Sequence, residues 1–126
     1  MSELRLWGDL MRRLGVLVMV LLCCTGMAYG KNKGTSADVV RIAGAGNVEF
    51  KAFITGAGRA LEAANATLDV KGEKQLYCQP NIAITEDQYL RILETHIEKY
   101  PKDGEIPAAM FGVTMLSALQ QAFPCK

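Results

Sequence analysis

Past an apolar leader the chain keeps only two cysteines, Cys78 and Cys125, and pairing them folds its end back onto its middle. The leader is read from its order of regions. A polar start ends in Arg12-Arg13, residues 14–24 form the 11-residue apolar run LGVLVMVLLCC, and small residues follow at Ala28 and Gly30. That order marks residues 1–30 as a secretory signal peptide, cleaved after Ala28 or Gly30. A membrane anchor needs about 20 apolar residues, and this run is roughly half that. A lipoprotein reading is weak because Leu22, not a small residue, precedes Cys23. Arg12-Arg13 leaves a twin-arginine export signal open but unsupported, since Leu-Gly-Val follows. The expectation is export to a bacterial periplasm, with Cys23 and Cys24 lost with the leader. Two cysteines in an oxidising compartment read as one disulfide. The Cys78–Cys125 separation of 47 residues makes loop closure worth about 4 kcal/mol on the chain-entropy model.

Charge narrows the function. Of 14 basic and 13 acidic residues, Arg5, Arg12, Arg13, Glu3 and Asp9 lie in the leader, so residues 31–126 carry eleven of each sign. A neutral domain lacks the basic face that neutralises phosphates, which excludes a nucleic-acid binder. It equally disfavours a polybasic membrane-surface protein, so no membrane contact is expected after cleavage. Ninety-six residues hold one core and little room for an elaborate cleft.

Residues 31–34 are a polar start. Ser36 is expected to cap a short helix over residues 37–42, ended by Gly44 and Gly46. Asn47 then caps a longer helix to about Asn65, with Phe50, Phe53, Ile54, Ala57, Ala60, Leu61 and Ala64 on one buried face. Gly56 and Gly58 interrupt it and are expected to let another helix approach closely. Residues 69–75 read as a charged loop and residues 76–80 as an extended segment. The best-marked helix opens at the capping box Thr85-Glu86-Asp87-Gln88. Its inner stripe is Tyr89, Ile92, Leu93, His96, Ile97 and Tyr100, and Pro101 stops it. A charged loop of Lys102, Asp103, Gly104 and Glu105 leads to Pro107 and a last helix with Met110, Phe111, Val113, Met115, Leu116, Leu119 and Phe123 apolar. The expected fold is all-α, a small cluster of about four helices pinned by one disulfide.

No catalytic constellation emerges, and no enzyme is expected. The glycines near Gly44 and Gly46 miss the dinucleotide fingerprint, whose third position is Glu49. Two cysteines and the single His96 are too few to hold zinc, and no C-x-x-C pair is present, so neither metal nor cofactor is expected. His96 reads as a packed or partner-facing residue, because a Cys-His nucleophile pair needs a free thiol. Asn65-Ala66-Thr67 matches a glycosylation sequon, a cheap match in a bacterial host.

The C-terminal half carries an ordered set of features: Leu76-Tyr77-Cys78 with Pro80, Thr85 with Tyr89-Leu90, Tyr100-Pro101, Pro107-Ala108-Ala109, and the ending Ala118-Leu119-Gln120-Gln121-Ala122-Phe123-Pro124-Cys125. With Phe53-Ile54-Thr55-Gly56 upstream, this resembles the Tai/Rap family of type VI secretion amidase immunity proteins. Many relatives carry a second cysteine pair on the first two helices, where this chain has Ala43 and Phe50. The resemblance implies a periplasmic protein, often a homodimer, that blocks the Cys-His site of a peptidoglycan amidase effector. It makes the 101–106 loop the expected projecting element: Lys102, Asp103, Gly104 and Glu105, with Glu94 and Glu98 beside them. The alternative is a small periplasmic helical binding domain of the same fold with an envelope or stress role and another partner.

Overall fold

Short polar side chains start the first three helices, and two glycines in left-handed backbone end the first two of them. The computed structural model describes residues 34–126. The leader, Cys23, Cys24, the cleavage positions and residues 31–33 lie outside the described residues. The first helix, α1 (Ser36–Gly44), is capped by Thr35 rather than by the expected Ser36. Thr35 has the extended backbone a cap requires and finds Asp38 three residues on. Its hydroxyl accepts the Asp38 N–H at 3.2 Å, and the Asp38 carboxylate accepts the Thr35 N–H at 3.0 Å. Ser36 is instead buried inside the first turn, where its hydroxyl is hydrogen-bonded to that of Thr114 at 2.9 Å. Gly46, at φ 96°, ends the turn by letting the Asn47 N–H reach back to Ile42 O.

The second helix, α2 (Val48–Val70), starts at the expected cap, with Asn47 Oδ1 accepting the Phe50 N–H at 3.0 Å. It runs a full turn beyond Asn65. Its terminator is Gly72, whose φ of 68° lets the Glu73 N–H reach Leu68 O. The last turn escapes an apolar pattern because it is largely exposed. The inner face is also narrower than the spacing implies. Ile54 is buried and Phe50, Ala57 and Leu61 are partly so, but Ala60 and Ala64 are exposed and Phe53 is half-exposed, its ring tilted against Phe111 at 5.2 Å.

The third helix, α3 (Glu86–Lys99), begins at the capping box read from the sequence. Gln88 Oε1 accepts the Thr85 N–H at 2.7 Å, and Thr85 Oγ1 accepts the Gln88 N–H at 3.3 Å. A single turn, α4 (Pro101–Gly104), follows, then a 3-10 turn (Ala108–Met110) and α5 (Phe111–Ala122). Among the described residues there is no strand, only an isolated bridge between Thr35 and Pro107. The architecture is the expected all-α cluster, with one helical turn more.

The core is built from Val39, Val40 and Ala43 on α1, Ile54 on α2, Tyr89, Leu90 and Leu93 on α3, and Phe111, Met115, Ala118 and Leu119 on α5. Gly58 sets how near α2 and α3 come. A Cβ there would stand 2.5 Å from Tyr89 Cε1 and 2.9 Å from Met115 Cε, so no other residue leaves Tyr89 in place. Gly56 has nothing within 4 Å and serves no such approach.

Residues 71–85 have no regular structure and are held by side chains. Asn65 is buried; its Nδ2 donates to Tyr77 O and its Oδ1 accepts the Leu76 N–H, each at 2.7 Å. With both amide atoms engaged inside the fold, Asn65 is not offered as a glycosylation acceptor. Tyr77 and Ile84 point into the core from this segment. The Cys78 N–H donates to Phe123 O at 2.8 Å, and Cys78 and Cys125 are joined across 47 residues with their Cα atoms 4.9 Å apart.

Candidate functional site

Pro101 cannot continue α3, because its ring displaces the helical position of the residue before it. Tyr100 accordingly leaves the helix at φ −127° and ψ 74°, and the chain reverses into α4. The residues expected as a solvated projecting loop are therefore a helical turn packed onto the body. Gly104 is buried: a Cβ there would meet Ile97 Cγ2 at 2.9 Å and Ala37 Cβ at 3.2 Å.

Asp103 fastens the turn. Its Oδ2 lies 2.8 Å from His96 Nε2, and its backbone carbonyl accepts from Thr114 Oγ1 at 3.1 Å. His96 is 4% exposed and packs its ring at 5.1 Å from that of Tyr100. Its other nitrogen, Nδ1, is 2.7 Å from Gln121 Oε1 on α5. A carboxylate only accepts, so Nε2 carries the proton facing Asp103. The Gln121 amide can serve Nδ1 in either role: Oε1 accepts from a doubly protonated ring, and the amide turned over donates to a neutral one. The network thus satisfies His96 in both charge states. It also answers the question left open for this residue, which is packed.

Of the expected contact residues, Lys102 and Glu105 are exposed on or next to α4, and Glu98 is exposed on α3. Glu94, also exposed, lies against the end of α1, where a Cβ on Gly44 would be 3.1 Å from Glu94 Oε1. Asp103, half-buried, and Gly104, buried, anchor the turn. Gln121 and Thr114 complete the site and were not legible beforehand. Thr114 could be flagged only as a polar residue among apolar neighbours, and Gln121, 25 residues from His96, carries no local signal.

The arrangement presents charged side chains on and beside a packed turn. Cys78 and Cys125 are joined, and both nitrogens of His96 are engaged. Among the described residues no group of three or more His, Cys, Asp or Glu side chains could hold a metal ion. Comparison of the chain with protein-family models, with curated proteins and with solved structures found no match.

Proposed function

We propose that this chain is a periplasmic immunity protein that binds and blocks a type VI secretion peptidoglycan amidase, protecting its cell from self-intoxication. The observation that carries the reading is the mounting of α4. A charged turn bearing Lys102 and Glu105 is clamped by His96 and Thr114 from two other helices, with Gln121 holding the His96 ring. A blocking partner gains affinity when its contact surface is ordered before binding, since little conformational entropy remains to be lost. The disulfide, the neutral domain and the ordered motifs of the C-terminal half support the same reading. Glu94, Glu98, Lys102 and Glu105 supply the charged contacts, with Asp103 and Gly104 holding them in place.

The test is co-production in the periplasm with a wall amidase encoded beside this gene. Cells should survive with the exported protein and lyse with a version lacking residues 1–30, which would occupy the wrong compartment. Failure of the exported protein to bind such an amidase would overturn the role and favour the envelope or stress reading.

A further inference from the structure

Two alanines leave a groove between α3 and α5. Ala118 and Ala122 on α5 carry too little side chain to fill the space beside Ile92, and a cleft of about 280 Å³ opens there, lined also by Arg91, Thr95 and Gln121. Pockets for drug-sized molecules run from about 300 Å³ upward, so this one has room for a single amino-acid residue. Its inner end is apolar, with Ala118 buried and Ile92 half-buried, while Arg91 and Thr95 are exposed at its mouth. None of these lining residues is acidic.

The polar groups of the groove are donors in search of an acceptor. Arg91 makes no ion pair among the described residues. Thr55 and Thr67 on α2 donate their hydroxyls to the carbonyl four residues back, at 3.0 and 2.8 Å. Among the described residues Thr95 makes no such bond, so its hydroxyl is available. Gln121 has its Oε1 on His96 Nδ1 at 2.7 Å, and its amide nitrogen is neither hydrogen-bonded among the described residues nor sealed from solvent. The contact that holds the His96 ring therefore also holds this donor in place. The surrounding charge has the same sign. Lys99, one turn beyond Thr95, shares its flank of α3. At about 100° per residue, Asp87, Glu94 and Glu98 fall on the other side of Arg91, where Asp87 meets Lys51 at 3.4 Å and Glu94 lies against the end of α1.

We propose that this groove binds the aliphatic C-terminal residue of a partner polypeptide. Its carboxylate is taken by Arg91 with Thr95 and Gln121, and its side chain lies on Ile92, Ala118 and Ala122. A carboxylate only accepts, which answers the three donors, and it matches the fork of a guanidinium. A terminal aliphatic residue carries that carboxylate and an apolar side chain on one Cα, within the size of the groove. An internal glutamate or aspartate offers the charge but nothing to cover Ile92 and the alanines. A cation would face Arg91 and Lys99. The proposal does not depend on the partner being a wall amidase.

The experiment is an amide-resolved NMR titration of the protein with the peptide Ac-Gly-Gly-Leu-OH. The controls remove the carboxylate (Ac-Gly-Gly-Leu-NH2), remove the side chain (Ac-Gly-Gly-Gly-OH), or move the charge inside the chain (Ac-Gly-Glu-Gly-NH2). Saturable shifts are expected at Arg91, Thr95, Gln121 and Ala122 with the first peptide alone. Arg91→Gln should weaken that binding about tenfold, as loss of a charge-assisted hydrogen bond does. Ala122→Leu, at an exposed position, should fill the groove and abolish binding with an unchanged circular dichroism spectrum. Absence of saturable shifts at these residues, equal binding of any control peptide, or unchanged affinity in either variant would each overturn the proposal.

Discussion

His96 and Asp103 are seven residues apart, on opposite sides of a proline, and meet with Nε2 and Oδ2 at 2.8 Å. That contact converts a charged stretch after α3 into a fixed turn, and it separates residues that hold the surface from residues that form it. Asp103→Ala should leave the His96 N–H buried without an acceptor and destabilise the fold by about 1–3 kcal/mol. Asp103→Asn retains an acceptor oxygen and should cost less. Urea denaturation of the two variants checks the order.

The outward charges behave differently. Glu98→Lys with Glu105→Lys reverses two exposed side chains that make no ion pair among the described residues. Stability should stay within ~0.5 kcal/mol of wild type. Affinity for the cognate amidase should fall, with a changed salt dependence of the association rate. Unaltered binding by surface plasmon resonance would remove α4 and the end of α3 from the interface.

Two glycines on one helix should respond with opposite sign. Gly58→Ala places a methyl group where Tyr89 and Met115 already are, and overpacking of this kind costs ~1–3 kcal/mol. Gly56→Ala meets open space, so the gain in helix propensity, about 0.5–1 kcal/mol, should appear in full. Paired thermal melts would show one midpoint falling and the other rising.

Cys78→Ser opens the 47-residue loop and should lower stability by ~2–5 kcal/mol. Intact mass of periplasmic protein should show the loss of two hydrogens and a start at Tyr29 or Lys31. Two free thiols in that preparation would contradict the pairing.

The hydrogen bond from Arg41 (2.9 Å), with those from Thr35, holds the Asp38 carboxyl at about 2 against an ordinary value of 3.8. Its folded value is lower than its unfolded one, so its contribution to stability is present above pH 3.8 and is lost as pH falls through about 2. Glu62 shifts in the same direction. Burial pushes its carboxyl up, but hydrogen bonds from Gln79, Arg59 and Tyr89 outweigh that and the net shift is downward. Between about pH 4 and pH 2 the urea midpoint of wild type should fall more steeply than that of Asp38→Asn. Equal slopes would mean that the α1 cap does not titrate in this range.

The helices were legible wherever a local pattern encodes them. The Thr85–Gln88 box, the Asn47 cap and the stop at Pro101 all act within a few residues, and each lies where the sequence puts it. Ser36 was the expected cap of α1, but Thr35, with an acid three residues later, takes that position, while Ser36 is buried against Thr114. The packed turn was illegible. Lys102, Asp103, Gly104 and Glu105 have the composition of a solvated loop, and nothing nearby reveals that Gly104 fits under Ile97 or that Asp103 has a histidine to bind.

By itself, the sequence determined the helical class and most helix boundaries, because caps and periodicity are properties of neighbouring residues. Only the tertiary structure decided the rest. It put three of the seven expected α2 stripe residues at the surface, buried His96 between Asp103 and Gln121, and left Gln79 Oε1 and the Tyr77 hydroxyl without partners. Those outcomes depend on which side chains arrive from distant segments, and hydrogen bonds between such segments are set by packing geometry that no local pattern carries.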